Sequence, residues 1–369
     1  MVRRRHWVFA VTLMLLAVFG CSKKTRADLT NSTGMTLTDL AGRSVPLQRS
    51  AATVCAIGPG ALRLVAYAGA ANKVVGIEAL EKRWKVGRPY LLAHPELLDL
   101  PVIGQGGPGA VPDPEALLTR KPDVIFASYL ADGMQADELQ KKTGIPVLVL
   151  SYGPLGTFDD DELLRSVALV GKATGNEVRA GQVIDFIKEC RKDLDRRTRA
   201  SGDDGGPTVY AGGLGMRGTH GIESTQARFP PFVAIHAHNV ADQAGRTGSF
   251  MIDKEQLVEW DPDIIFVDEM AWSKVRADYA ENAGLYASLK AVKAGKLYGY
   301  LPYNAYATNV ATAIADAYFM GTVVNPKAFK DVDPIARARE TYRSLLGKDV
   351  YEHMARDFGG FKRLELGGS

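Results

Sequence analysis

The chain has 369 residues, more than one core of about 100 to 150 residues accommodates, so its length points to two domains with additions. Hydrophobic residues make up 46% and charged residues 24%, the balance of a folded globular protein rather than of a disordered or fibrous chain. The formal net charge of +3 falls to zero without the three arginines of the first twenty residues, and a neutral chain lacks the basic surface that a nucleic-acid binder needs.

Arg3, Arg4 and Arg5 precede "WVFAVTLMLLAVFG", an uncharged run too short for the roughly 20 apolar residues of a bilayer span and suited to a signal-peptide core. Residues 1–20 therefore read as a signal peptide. Gly20 followed by Cys21 is similar to the bacterial lipobox, whose cysteine is lipidated and becomes the new N-terminus, although Phe19 is bulky for that pattern. A plain secretory signal with an incidental cysteine is the alternative, and Arg4-Arg5 raises twin-arginine export as a second route. Residues 21–34, with "KKTR" after the cysteine, read as a polar tether close to lipid headgroups. Cys55 in "TVCAI" and Cys190 on a helical stretch are expected as buried thiols, while an exported compartment would permit a disulfide.

Beyond the tether, "MTLTDLAGRSVPL" alternates around Gly42 as a small hairpin. "TVCAIGP" reads as a buried strand, "GALRLVAYAGA" as a helix and "KVVGIEA" as a strand. The alternation continues through "PEALLTRK", "DVIFAS", "ADELQKKTG" and "PVLVLS". Residues 35–155 are thus an N-terminal α/β lobe. Residues 156–206 are a helical connection, whose second helix of about 25 residues would reach roughly 35–40 Å. Residues 207–325 restart the alternation at "TVYAGG" as a C-terminal α/β lobe, and 326–369 form terminal helices and a tail. The fold class is α/β, with two Rossmann-like lobes joined by a long interlobe helix.

"PDPEALLTRKPDVIF" at 112–126 returns as "IDKEQLVEWDPDIIF" at 252–266. A helix that ends, a Pro-Asp turn and an apolar strand explain much of the likeness. The paired Glu115 and Glu255 are left over; each sits early on its helix, where a carboxylate favours the dipole and faces water.

Two α/β lobes, a long connecting helix, an export signal and this repeated phrase resemble the cobalamin, siderophore and haem class (class III) of ABC-importer substrate-binding proteins. "DPEALLTRKPDVIFA" and "SLKAVKAGKLYGYLP" carry the resemblance, which covers nearly all of the chain after the signal. It implies an exported receptor, periplasmic or on the cell surface and membrane-anchored through Cys21. Its partners would be an ABC permease dimer with its ATPase subunits, a small-molecule ligand and the lipid bilayer. No resident cofactor and no catalytic step is implied. It also implies that Glu115 and Glu255 dock onto the permease. "PYNAYATN" at 302–309 and "RGTHGIEST" at 217–225 are similar to a subset of metal-ion receptors usually labelled iron carriers, and also to a molybdate and tungstate binder. The expected ligand is iron, as an Fe(III) chelate or siderophore, with molybdate or tungstate, haem or cobalamin as alternatives.

Ligands of open α/β folds bind beyond the carboxyl ends of the strands. "GPGAL" after "TVCAI" could offer backbone N–H groups to an anion, or be only a tight turn. Arg83, Arg88 and Tyr90 stand in "EKRWKVGRPY", a predicted loop whose cations suit a carboxylate-rich chelate or an oxyanion, though a solvated charge run has the same composition. "GGLGMRG" has dinucleotide-binding spacing, which keeps a nucleotide-using enzyme as a different class of function. A helix should follow it, however, and "THGIESTQARFPPF" supplies a glycine and two prolines instead. Arg217 and His220 are accordingly expected in a mobile ligand loop. His236 and His238 lack enough companions for a zinc site. Tyr303, Asn304 and Tyr306 follow a strand end, where a phenolate would suit ferric iron and neutral groups would donate to an oxyanion.

Overall fold

The computed structural model describes residues 34–107, 109–129, 133–153, 158, 160–199, 205–215 and 218–367. The expected signal peptide, Cys21, the tether as far as Thr33 and Arg217 lie outside the described residues.

A hairpin of β1 (Met35–Thr38) and β2 (Ser44–Leu47) comes first, turning through Asp39 and the left-handed Gly42. Buried Asp39 accepts from the Ala41 and Arg43 N–H groups and from Val149 N–H, which ties the hairpin to the sheet behind it. The N-terminal lobe then follows as β3 (Val54–Ile57), α1 (Ala61–Tyr67), α2 (Ala79–Arg83), α3 (Pro89–Ala93), α4 (Pro114–Arg120), β4 (Val124–Ser128), α5 (Gly133–Thr143) and β5 (Val147–Leu150). Strands β3, β4 and β5 are parallel and buried at every position, as a sheet covered on both faces requires. "KVVGIEA", expected as a strand, forms only isolated bridges, Val54 with Val74 and Ile77 with Val102. It runs between a 3-10 turn ending at Lys73 and Glu78, the residue before α2.

Helix α6 (Asp161–Thr174) starts on the Asp160 side chain and stops at left-handed Gly175. Helix α7 (Glu177–Thr198) has 22 residues, about 33 Å at 1.5 Å per residue. Its buried stripe, Ala180, Val183, Ile187, Cys190 and Leu194, has helical spacing and packs against α6 on one side.

The second lobe contains β6 (Thr208–Gly212), β7 (Ser224–Ala227), α8 (Pro230–Ala234), β8 (His238–Asn239), β9 (Gly248–Met251), α9 (Lys254–Trp260), β10 (Ile264–Asp268), α10 (Trp272–Glu281), α11 (Ala283–Ser288), α12 (Lys290–Lys293), β11 (Leu297–Tyr300) and α13 (Val310–Val324). The chain closes with α14 (Pro334–Leu346), α15 (Tyr351–Phe358) and β12 (Lys362–Arg363). The sheet order is β12-β11-β10-β6-β8, parallel except for β12, so the tail returns as an antiparallel edge. Helix α7 also touches α8 and α13 of the second lobe and α14 of the terminal helices. Among the described residues no helix is long and apolar enough to cross a membrane. Cys55 and Cys190 are free and buried, and burial pushes both thiols up to about 12.

The repeated phrase folds twice into the same object. Residues 111–120 and 251–260 share one sequence of exposed, half-buried and buried positions. Both helices end on a left-handed residue, Lys121 (φ 49°) and Asp261 (φ 37°). The recurring aspartate then does more than turn the chain. Asp123 accepts from the Thr53 N–H and hydroxyl while its own N–H donates to Thr53 Oγ1, and Asp263 repeats the exchange with Thr208. Each pair clamps the start of one central strand to the start of its neighbour. The clamp's hydrogen bonds hold both carboxyls below the usual carboxylate range despite some desolvation.

Candidate functional site

Loops that leave the carboxyl ends of the strands meet at a seam between the lobes. Tyr306, in the loop after β11, lies at its centre with a left-handed backbone (φ 55°). Its hydroxyl donates to Glu78 Oε2 at 2.7 Å and accepts from Gly107 N–H at 2.8 Å, and the Arg88 guanidinium covers its ring at 4.9 Å. Glu78 Oε1 accepts from Gly58 N–H at 2.9 Å. Burial raises the Glu78 pKa, against the pull of the Gly58 and Tyr306 hydrogen bonds. Gly58 is required here, because a Cβ would stand 2.4 Å from the Ser128 carbonyl. The N–H that sequence offered to an anion is thus used by the chain's own carboxylate.

Arg63 lies beneath this seam, fully buried on α1. It donates to Tyr152 Oη (3.1 Å) and to the carbonyls of Thr308 (2.9 Å), Ala305 (2.8 Å) and Tyr306 (3.1 Å). None of these acceptors is a carboxylate, so a full positive charge sits in the interior against a phenol and carbonyl dipoles, with the Tyr90 ring 5.0 Å away. Asn309 adds two more ties, from its side-chain NH2 to the Gly87 and Tyr303 carbonyls at 3.0 and 3.1 Å. The loop is therefore held to the first lobe mainly through its backbone.

The residues singled out from sequence are distributed unevenly around this seam. Arg83 ends α2, exposed, with Gln105 Oε1 at 3.5 Å. Arg88 and Tyr90, expected in a loop, flank and enter α3 and are buried; both bond Glu81, Tyr90 at 2.6 Å. A short segment rich in cations reads as solvated, but here Glu81 two residues upstream of Arg83 gives them an internal partner. Tyr303 is buried, donates to Gln226 Oε1 at 3.2 Å and packs edge-on against Phe229. Burial, with Asp268 and Asp316 nearby, raises its pKa and keeps it a phenol rather than a phenolate. Asn304 is exposed and bridges to Thr308, and His220 is half-buried. Glu115 and Glu255 are exposed in the first turns of α4 and α9. The two histidines do not share a strand face: His236 precedes β8 with φ 50° and contacts Asp195 at 3.0 Å, while His238 begins β8.

Arg63 and Glu78 were not anticipated. The available signal was a single arginine inside the otherwise apolar "GALRLVAYAGA", and a lone acid closing "KVVGIE". A cavity of about 540 Å³ adjoins the seam, walled by Gly58, Pro59, Glu78, the glycine-rich segment from Gly104, Ser128 and Tyr129. Among the described residues no group of three or more His, Cys, Asp or Glu side chains is arranged to hold a metal ion.

Three buried acids stand behind the second-lobe side. Burial raises Asp268 to about 7 and Glu269 to about 8, and Asp316 rises well above the usual range, with Asp268 adding to its shift. Each binds its proton more tightly folded than unfolded, so this contribution to stability is full below the ordinary carboxylate range and is lost as pH rises towards about 8. The thermal midpoint should therefore fall between about pH 5 and pH 8, and Asp268→Asn, which keeps the acceptor for Met270 N–H, should flatten that slope. An equal slope in the variant, measured by calorimetry across the range, would assign the dependence elsewhere.

Comparison with known proteins places this geometry. The family described as periplasmic binding protein matches residues 54–303. An ABC transporter substrate-binding lipoprotein of Bacillus subtilis, YvrC, is 21% identical over 264 residues, 72% of this chain and 77% of that one. The periplasmic solute binding protein of Veillonella parvula superposes with a TM-score of 0.69 at 19% identity, covering 88% of this chain and 96% of that chain. The molybdate periplasmic binding protein MolA of Haemophilus influenzae, crystallised with molybdate, superposes with a TM-score of 0.67 at 19% identity, covering 85% and 98%.

Proposed function

Because the chain belongs to the periplasmic binding protein family and is the substrate-binding protein of an ABC transporter, we propose that it captures iron as an Fe(III) chelate and delivers it to the permease. In this reading Cys21 carries the lipid anchor, and Glu115 and Glu255 meet the permease. The observation that carries the chelate is space. A cavity of about 540 Å³ beside Tyr306 falls within the roughly 300–1,000 Å³ of organic-ligand pockets and is many times the size of a four-oxygen anion. Its wall offers hydrogen-bonding groups such as Ser128 and Tyr129, as suits a ligand that brings its own metal coordination.

Molybdate or tungstate is the second reading, supported by the buried Arg63 charge and by the molybdate held in the Haemophilus protein. Elemental analysis and native mass spectrometry of the mature protein, after exposure to ferric chelates, haem, cobalamin, molybdate and tungstate, separate the two. Retained iron with a chelate mass is expected; retained molybdenum with no iron species would replace the first reading by the second.

A further inference from the structure

A second cavity, of about 790 Å³, lies beside α7, away from the Tyr306 seam. Its wall combines one face of α7 with Phe158 and Asp160 before α6, and with the second-lobe stretch from Gln226 to His236. Lys188, Arg191, Lys192 and Asp195 follow one another at helical three- and four-residue spacing, so they share that face. Arg191 fixes the segment before α6 by donating to the Phe158 and Asp160 carbonyls at 2.6 and 3.2 Å. Arg228, exposed and left-handed (φ 51°), faces α7 from the other side.

The charge in this cavity is lopsided. Among the described residues, four permanent cations, Lys188, Arg191, Lys192 and Arg228, meet two carboxylates, and both carboxylates are already engaged. Asp195 accepts from Arg199 at 2.6 Å and contacts His236, and Asp160 caps α6 through Glu162 N–H at 2.7 Å. The side chains of Lys188, Lys192 and Arg228 have no ion-pair or hydrogen-bond partner among the described residues. Between the cations the wall is apolar, built from Phe158, Pro230, Val233 and Ala234. Long cationic side chains around an apolar floor complement a molecule with an anionic head and a ring-bearing body.

We propose that the cavity between α7, the segment before α6 and the second lobe binds an organic anion, with a carboxylate- or sulfonate-type head held by Lys188, Lys192 and Arg228 and an apolar body on Phe158, Pro230 and Val233. It stands apart from the iron reading: iron capture could fail while this site holds, and the reverse. The probe is 1-anilinonaphthalene-8-sulfonate, an aromatic sulfonate that fluoresces on entering an apolar site. Saturable, blue-shifted binding is expected at one site per chain, weakened at least tenfold by K188E/K192E, weakened similarly by R228E, and weakened by added salt. All three residues are exposed, so the variants keep the fold; an unchanged thermal midpoint verifies this. Absence of saturable binding to the wild type, or equal binding by the folded variants, overturns the site.

Discussion

Replacing Glu115 and Glu255 together by alanine is expected to abolish uptake in cells while leaving the ligand affinity of the purified protein unchanged. Both carboxylates project from the first turn of a short helix, at matching positions in two segments with the same burial pattern. Neither makes an intramolecular salt bridge among the described residues. Their local role, favouring a helix dipole, is worth about 0.3–1 kcal/mol each, too little to unfold the chain. In the proposed docking role, two like charges on two similar lobes would fix orientation on a two-fold partner, as complementary charge does in steering and register. Single substitutions should be intermediate, and reversal to lysine should be worse than alanine because it adds repulsion. Normal uptake by the double alanine variant would remove the docking role, and lost ligand binding would show that the glutamates serve the ligand instead.

Arg63→Ala is expected to cost about 3 kcal/mol or more of stability, because it opens a void at a fully buried side chain and takes the donor from the buried Thr308 carbonyl and the partly buried Ala305 and Tyr306 carbonyls, while Tyr152 keeps its bond to the Gly60 carbonyl. It should also weaken ligand binding, since those carbonyls belong to the loop that carries Tyr306. Arg63→Lys should recover little, because one ammonium cannot reach acceptors spread as the guanidinium spreads them. Denaturant titration gives the stability, and the slope of the transition reports whether the native state has loosened. An Arg63→Met protein as stable as wild type would mean that residues 305–308 are held without the guanidinium.

Much of the architecture was legible because it obeys local rules. The uninterrupted apolar runs "VCAI", "VIFAS", "VLVL" and "IIFVD" became buried parallel strands, and the long charged stretch after Asn176 became α7. The repeated phrase announced two similar lobes, but its aspartates kept their function hidden. Thr53 and Thr208, with which they exchange hydrogen bonds, lie 70 and 55 residues away, and strand pairing alone brings them together. The ligand side was less legible for the same reason. "EKRWKVGRPY" has the composition of a solvated loop, yet Arg88 and Tyr90 turn inward because Glu81 is buried beside them. Tyr306 could be placed at a strand end, but its bond to Glu78 joins residues 228 apart. Period and composition describe how a segment folds; they carry no information about which distant carboxylate waits for it.

Calorimetric titration of the purified mature protein with ferric chelates, repeated after saturation with molybdate, tests the central claim most directly. One chelate should bind saturably at one site per chain, with Tyr306→Phe weakening it and molybdate leaving it unaffected. No saturable heat with any ferric chelate, alongside saturable molybdate binding, would contradict the account.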